Sequence, residues 1–212
     1  MARDLKAEDG LAIAQLHHAG NRSPADLIGE APVCPSEDPA TGARALTEDE
    51  VHGVVEAFVA AAVRCDTAGF DGVELHGAHG YLLCQFLSAE LNRRTDAYGG
   101  SLENRARPIM EIVEGIRTRC RPDFNLSVRL SPERFGLRTA EINEVFAWLA
   151  GSGLIDFIDM SLWDVRKSAV DEEMAGRGLL EIFSALERGS TRLAVAGKIY
   201  GAADARWVIE NG

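Results

Sequence analysis

Clustered cysteine is missing from this sequence. The four cysteines stand at 34, 65, 84 and 120, with no Cys-x-x-Cys among them, so nothing suggests an iron–sulfur cluster or a zinc ribbon. Scattered thiols of this kind read as reduced side chains in a reducing compartment. Long apolar runs are missing too. The longest, residues 57–63, falls far short of the roughly 20 residues that span a bilayer, and no charged-then-apolar leader opens the chain; the expected location is cytoplasmic. Positive charge is scarce, since 22 Lys and Arg against 33 Asp and Glu give a formal net charge of −11. Such a surface repels phosphate backbones, which argues against general nucleic-acid or anionic-membrane binding and turns attention to small-molecule chemistry. Internal repeats, linkers and low-complexity segments are absent as well.

What remains is 212 residues, 46% of them hydrophobic, enough for one sizeable core and, by the usual size of domains, one domain over residues 1–212. Residues 1–9 read as the end of a helix, broken by Gly10, and residues 11–16 as a buried strand with His17 and His18 at its C-terminal end. Residues 21–45 hold four prolines and no period, and a loop of that length usually covers something. Thr47-Glu-Asp-Glu50 is a capping box opening a helix whose apolar positions keep helical spacing up to Gly69. The stretch from Gly72 to Tyr81 reads as a short apolar strand emptying into a reactive loop with His76, His79 and Tyr81. Ser101 is placed to cap the next helix, within which Pro108 implies either a kink or a later start. Further strands are expected at 125–130, 154–160 and 193–196. Helices are expected at 139–150, from the acidic residues 171–173 to Gly189, and at 202–210. Residues 92–105 are too rich in charge to be core.

Five strands separated by crossovers long enough for parallel pairing imply an α/β barrel or a doubly wound sheet. No Gly-x-Gly-x-x-Gly joins a strand to its helix, which counts against the latter. Polar residues or glycine instead recur at successive strand ends: Gln15 and His17, His76 and His79, Arg129, Ser161, Gly197. In a barrel those ends share one mouth, where the active site lies. From the residues alone, His76 and His79 fit a metal half-site with His17, His18 or Glu74 as the third ligand, a carbonyl clamp, or two ordinary loop histidines. Arg129 in an apolar strand must face an anion or the mouth, because an unpaired buried guanidinium is costly. Gln15 fits a binding role or a buried backbone partner, and Tyr81 fits a packing role.

The run Gly69-Phe-Asp-Gly-Val-Glu-Leu-His-Gly-Ala-His-Gly-Tyr-Leu82, with Gln85-Phe-Leu-Ser88 and Asn92-Arg-Arg-Thr-Asp-Ala-Tyr-Gly-Gly-Ser-Leu-Glu-Asn-Arg105 after it, resembles the Old Yellow Enzyme family of FMN-dependent NAD(P)H:flavin oxidoreductases. Gln15-Leu-His-His-Ala-Gly20, Val128-Arg-Leu-Ser-Pro132 and Ala196-Gly-Lys-Ile199 extend the likeness over nearly the whole chain. The resemblance implies a (β/α)8 barrel with FMN across its mouth, NAD(P)H as reductant and an α,β-unsaturated carbonyl as substrate. It implies Gln15 at the flavin's pyrimidine edge, Arg129 beside N1 and O2, and Gly197 in a phosphate-binding loop. It gives His76 and His79 the carbonyl oxygen, and Tyr81 the proton for the α-carbon. No metal belongs to that scheme.

Matched strand by strand, the chain begins at the family's third strand and stops after its seventh, so an incomplete barrel is expected, with two open sheet edges. The sequence is read as a fragment of a longer protein. The alternative is a natural truncation, a non-catalytic remnant that works by associating with another chain, and the open edges leave self-association into a homo-oligomer available. Metal-dependent aldolase-type chemistry through the histidines ranks last.

Overall fold

In the computed structural model, residues 2–212 are described; Met1, the first residue of the expected helix end, lies outside them. The elements run α1 (Ala2–Leu5), β1 (Ile13–Leu16), a 3-10 turn (Gly20–Arg22), α2 (Ala25–Ile28), β2 (Val33–Cys34), β3 (Arg44–Ala45), α3 (Glu48–Thr67), β4 (Gly72–Gly77), α4 (Leu82–Leu87) and α5 (Leu102–Arg119). They continue with β5 (Asn125–Leu130), α6 (Thr139–Gly151), β6 (Phe157–Ser161), a second 3-10 turn (Glu172–Met174), α7 (Leu179–Ser184), β7 (Arg192–Ala196) and α8 (Ala202–Asn211). Each of the five expected strands is present, and β5 has the expected bounds.

These strands form one parallel sheet in the order β1-β4-β5-β6-β7. Alternation along each strand sorts the side chains by face. Val73, Leu75, Leu126, Val128, Leu130, Ile158 and Met160 point one way and are buried in the apolar core with Val59 of α3, Ile112 of α5 and Phe146 of α6. The opposite face carries Gln15, Glu74, His76, Ser127, Arg129, Asp159 and Ser161, none of which joins that core. A sheet with helices along one face and polar side chains along the other is an arc of a barrel wall, the polar face being its inside.

The helix starts follow from local chemistry. Thr47 accepts from Glu50 N while the Glu50 carboxylate accepts from Thr47 N, the reciprocal cap that opens α3. Ser101 accepts from Asn104 N and opens α5 at Leu102, so Pro108 lies inside a continuous helix and not at its start. It forgoes one backbone hydrogen bond, to the Asn104 carbonyl.

Three expectations need correction. The helix expected from residue 171 to 189 is interrupted: after the 3-10 turn, Gly176 takes φ +85°, a conformation no helix accommodates, and only Leu179–Ser184 is helical. The charged stretch 92–105 is not merely a solvated loop. Asn92, Tyr98 and Arg105 are buried, with Asn92 Nδ2 donating to the carbonyls of Phe86 and Tyr98, both at 2.8 Å. Charged and polar groups enter the interior when internal acceptors replace water, as they do here. Residues 21–45, expected as irregular, do contain α2 and the short parallel pair β2–β3. Arg94 ties that excursion to the body by donating to Pro35 O at 2.9 Å and to Leu46 O.

Candidate active site

Register brings the polar residues together. His76 of β4 pairs with Arg129 of β5, and Arg129 with Asp159 of β6, so three functional side chains stand abreast on the inner face. One level down lie Gln15, Glu74 and Ser127. Beyond β4 the chain makes a tight turn in which His79 and Gly80 take φ values of +61° and +72°. His79 N donates to Ser131 Oγ at 3.0 Å, and the turn folds the His79 ring back over the strand end. A side chain on Gly80 would sit 2.9 Å from Phe135 Cδ1, so both the left-handed backbone and the close approach require glycine there.

The result is a connected cluster. His79 Nδ1 lies 3.1 Å from His76 Nε2 and His79 Nε2 lies 2.7 Å from Ser161 Oγ. Arg129 Nη2 donates to the same Ser161 oxygen at 3.1 Å. Asp159 Oδ2 is 3.1 Å from Arg129 Nε, near enough for an ion pair but off the N–H direction, which leaves that donor without a hydrogen-bond acceptor. His76 Nδ1 is likewise buried and unpartnered. Tyr81 closes the cluster from above, its ring edge-on to His17 at 4.2 Å and tilted to His76 at 5.3 Å. The Arg22 guanidinium stands over both the Tyr81 and Phe135 rings at 5.4 Å. Buried Gln85 holds this loop in place, its Nε2 donating to Gly80 O at 2.8 Å and to Asn21 Oδ1 at 2.7 Å.

Burial sets the protonation states. It pushes His76 down to about 4, with the neighbouring His79, His17 and Arg129 charges adding to the effect. It also lowers His79, aided by Arg129 and Arg22. The imidazole pair is therefore neutral at neutral pH. Glu74 and Asp159 move the other way, raised by burial and partly restored by the Gln15 hydrogen bond and the Arg129 charge respectively.

Of the residues singled out from sequence, His76, His79, Tyr81 and Arg129 meet in this cluster, and His17 faces it. Gln15 lies on the same face at the sheet edge, exposed, donating to Glu74 Oε1 at 2.6 Å. Gly197 stands apart. It packs on the backbone of Trp163 and Asp164 and accepts from Val165 N at 3.2 Å. His18 turns away to accept from Gly20 N at 3.0 Å. Sequence reasoning missed Asp159, Arg22 and Phe135. A carboxylate in an apolar strand, two residues before Ser161, was a usable signal for Asp159, whereas the two loop residues gave none. Among the described residues no group of three His, Cys, Asp or Glu side chains is placed to hold a metal ion, and no helix is long and apolar enough to cross a membrane. A cavity of about 500 Å³ opens beside the β1 edge, lined by Leu16, Val33, Leu46 and Phe58 together with His17 and His18.

The sequence profile of the NADH:flavin oxidoreductase / NADH oxidase family matches residues 1–176. The probable NADH-dependent flavin oxidoreductase YqiG of Bacillus subtilis is 36% identical over 222 aligned positions, covering 100% of this chain and 60% of that protein. The NADPH dehydrogenase of Halalkalibacterium halodurans is 41% identical over 167, covering 79% and 45%. Among solved structures, the old yellow enzyme homologue from Zymomonas mobilis has a TM-score of 0.82 at 28% identity over 99% of this chain and 62% of that one. For morphinone reductase in complex with tetrahydroNAD the values are 0.79, 31%, 99% and 61%. The chain thus spans at most about three fifths of the length of these relatives. With the five-stranded arc and the histidine cluster agreeing, the chain belongs to the NADH:flavin oxidoreductase / NADH oxidase family, that of Old Yellow Enzyme, and represents an incomplete (β/α)8 barrel of that kind.

Proposed function

We propose that residues 1–212 form part of a single FMN-binding barrel domain that reduces an α,β-unsaturated carbonyl compound at the expense of NAD(P)H. The observation carrying this reading is the neutral pair His76 and His79 beside Tyr81, on the same sheet face as Arg129 and Gln15. The residues present fit the flavin. Arg129 keeps one donor without an acceptor, Gln15 is exposed with its Oε1 uncommitted, and an amide facing a guanidinium across one strand suits the polar edge of a pyrimidine ring. When bound, FMN supplies hydride exchange between the nicotinamide and the conjugated alkene.

The chain's own residues do the rest. Gln15 and Arg129 would hold the flavin's pyrimidine edge, and a fixed cation there favours the reduced, anionic form. Gly197, just past the end of β7, would lie in the loop that takes the phosphate. His76 and His79 would take the carbonyl oxygen, and neutral imidazole N–H groups in a buried setting polarise it without themselves giving up a proton. Tyr81 stands next to them as the hydroxyl that would protonate the α-carbon. The substrate is a small molecule; neither nucleic acid nor membrane enters the scheme, and the setting is cytoplasmic.

Titration of the purified chain with FMN, followed by a phenol and by anaerobic NAD(P)H, tests this reading. Expected are flavin that survives gel filtration, bleaching by the nicotinamide, and a charge-transfer band with phenol that is lost when His76 and His79 are both replaced. An undiminished band in the double variant would overturn the assignment of the pair. A second reading, association with another chain as a non-catalytic remnant, is favoured by the apolar cavity beside β1. Light scattering that finds a flavin-free complex would support it, and an isolated flavin-bound monomer would dismiss it.

A further inference from the structure

Cations and rings alternate in the loops above the histidines. Arg134 Cζ lies over the Trp163 ring at 4.4 Å and over the Phe135 ring at 6.0 Å, and Arg22 stands over Phe135 and Tyr81 alike. Tyr81, Arg22, Phe135, Arg134 and Trp163 thus form an unbroken series drawn from the loops after β1, β4, β5 and β6. Stacking on a ring occupies the face of a guanidinium and leaves its in-plane N–H donors for another partner. Both arginines are exposed, and among the described residues neither side chain donates a hydrogen bond or pairs with a carboxylate. The acids adjoining the series in sequence, Glu133 and Asp164, are committed to Lys167 and Lys198. In a chain of net charge −11, two cations are left without a counter-charge. Arg134, Phe135 and Trp163 also hold φ values of +68°, +55° and +67°, a left-handed conformation that costs side chains of this size on the order of 1 kcal/mol each and persists where the surroundings impose it. The series adjoins the candidate site. The Arg22 charge helps to lower His79, and a cleft of about 20 Å³ lies between His79, Ser131, Arg134, Phe135, Ser161 and Trp163, room for about one or two light atoms.

We propose that Arg22 and Arg134 form a specificity site for a carboxylate carried by the small molecule that enters the mouth. A carboxylate is planar and presents two oxygens, which the guanidinium fork matches, and the rings hold the forks in place before the ligand arrives. With the acid at the rim, the far end of a short ligand reaches His76 and His79. That this ligand is the unsaturated carbonyl compound, and therefore an unsaturated acid, rests on the proposed function; the anion site does not. A neutral compound of the same shape gains nothing from the rim.

Titration of the chain without flavin tests the site, with 4-hydroxybenzoate and separately with its neutral isostere 4-hydroxybenzamide, read by proton–nitrogen NMR of the Trp163 indole and the Arg22 and Arg134 side chains. The acid should shift all three signals and bind roughly tenfold more tightly than the amide, which is what one charge-assisted hydrogen bond supplies. R22Q/R134Q should abolish that preference, and R166Q, which alters a cation already paired with Asp204, should leave it unchanged. Equal affinities for acid and amide, a preference that survives R22Q/R134Q, or no shift with either ligand overturns the proposal. So does a response to nicotinamide mononucleotide without one to the acid, which would assign the arginines to a phosphate. Should R22Q/R134Q fail to fold, the wild-type comparison of acid with amide decides by the same criterion. Because no flavin is present, failure of the chain to hold FMN leaves this result intact, and loss of the acid preference leaves the flavin reading standing.

Discussion

A histidine kept neutral by burial makes stability depend on pH in one definite sense. His76 titrates near 4 in the folded chain against an ordinary value of 6.5, so between those values the unfolded chain binds the extra proton and stability falls as pH falls. The loss is complete near pH 4 and amounts to at most about 3 kcal/mol. Glu74 and Asp159, raised by burial, act oppositely: their contribution is present below the ordinary carboxylate range and is lost as pH rises through their raised folded values. The informative quantity is therefore the difference between wild type and H76N. Urea unfolding from pH 4 to 7 should show wild type gaining on H76N as pH rises, and parallel profiles would show that His76 is not held neutral.

The same scale shows what one dimension conceals. Gln15, His76 and Arg129 were legible because each is polar within or at the end of an apolar strand, and His79 and Tyr81 because they follow β4 directly. Asp159 was not, because its meaning comes from standing opposite Arg129 in the next strand, and that register is set by pairing across the sheet. Nor could sequence show that Arg22 and Phe135, from loops on either side of β4 in the chain, meet there, the guanidinium standing over both the Tyr81 and the Phe135 ring.

Elements were more legible than contacts, for a physical reason. Helix starts depend on four consecutive residues, so the Thr47 box and the Ser101 cap could be read directly. Replacing Thr47 by Ala should cost about 1 kcal/mol in thermal or urea unfolding, and replacing it by Ser should cost much less. Interruption of the expected helix over 171–189 depended on Gly176 adopting positive φ, which glycine permits but its presence in the sequence does not dictate. Arg105 illustrates the contacts between elements. Its side chain is 4% exposed and donates from α5 to Glu141 of α6 at 2.8 Å and to Leu87 O at the end of α4. Its removal leaves a half-buried carboxylate and a buried carbonyl without their donor, so R105A should lower stability by about 3 kcal/mol or more. R105K, with one charge but no fork, should recover only part.

For the molecule as a whole, spatial order repeats chain order, and the interior strands differ sharply from the edges. β4 and β5 are flanked on both sides, while β7 has no fully buried residue and β1 forms the other edge. Amide hydrogen exchange should therefore be slowest in β4 and β5 and fastest in β1 and β7, with protection falling outward from the centre. Uniform protection across the five strands would contradict this.

In the five-stranded sheet each strand pairs with the sheet strand made just before it, the β2–β3 excursion and α3 intervening between β1 and β4. A polypeptide so arranged suits vectorial assembly on the ribosome, where each new strand and helix leaving the exit tunnel meets a neighbour already in place. Synthesis itself then protects the growing edge, and the polar face stays open to solvent until the wall around it is built.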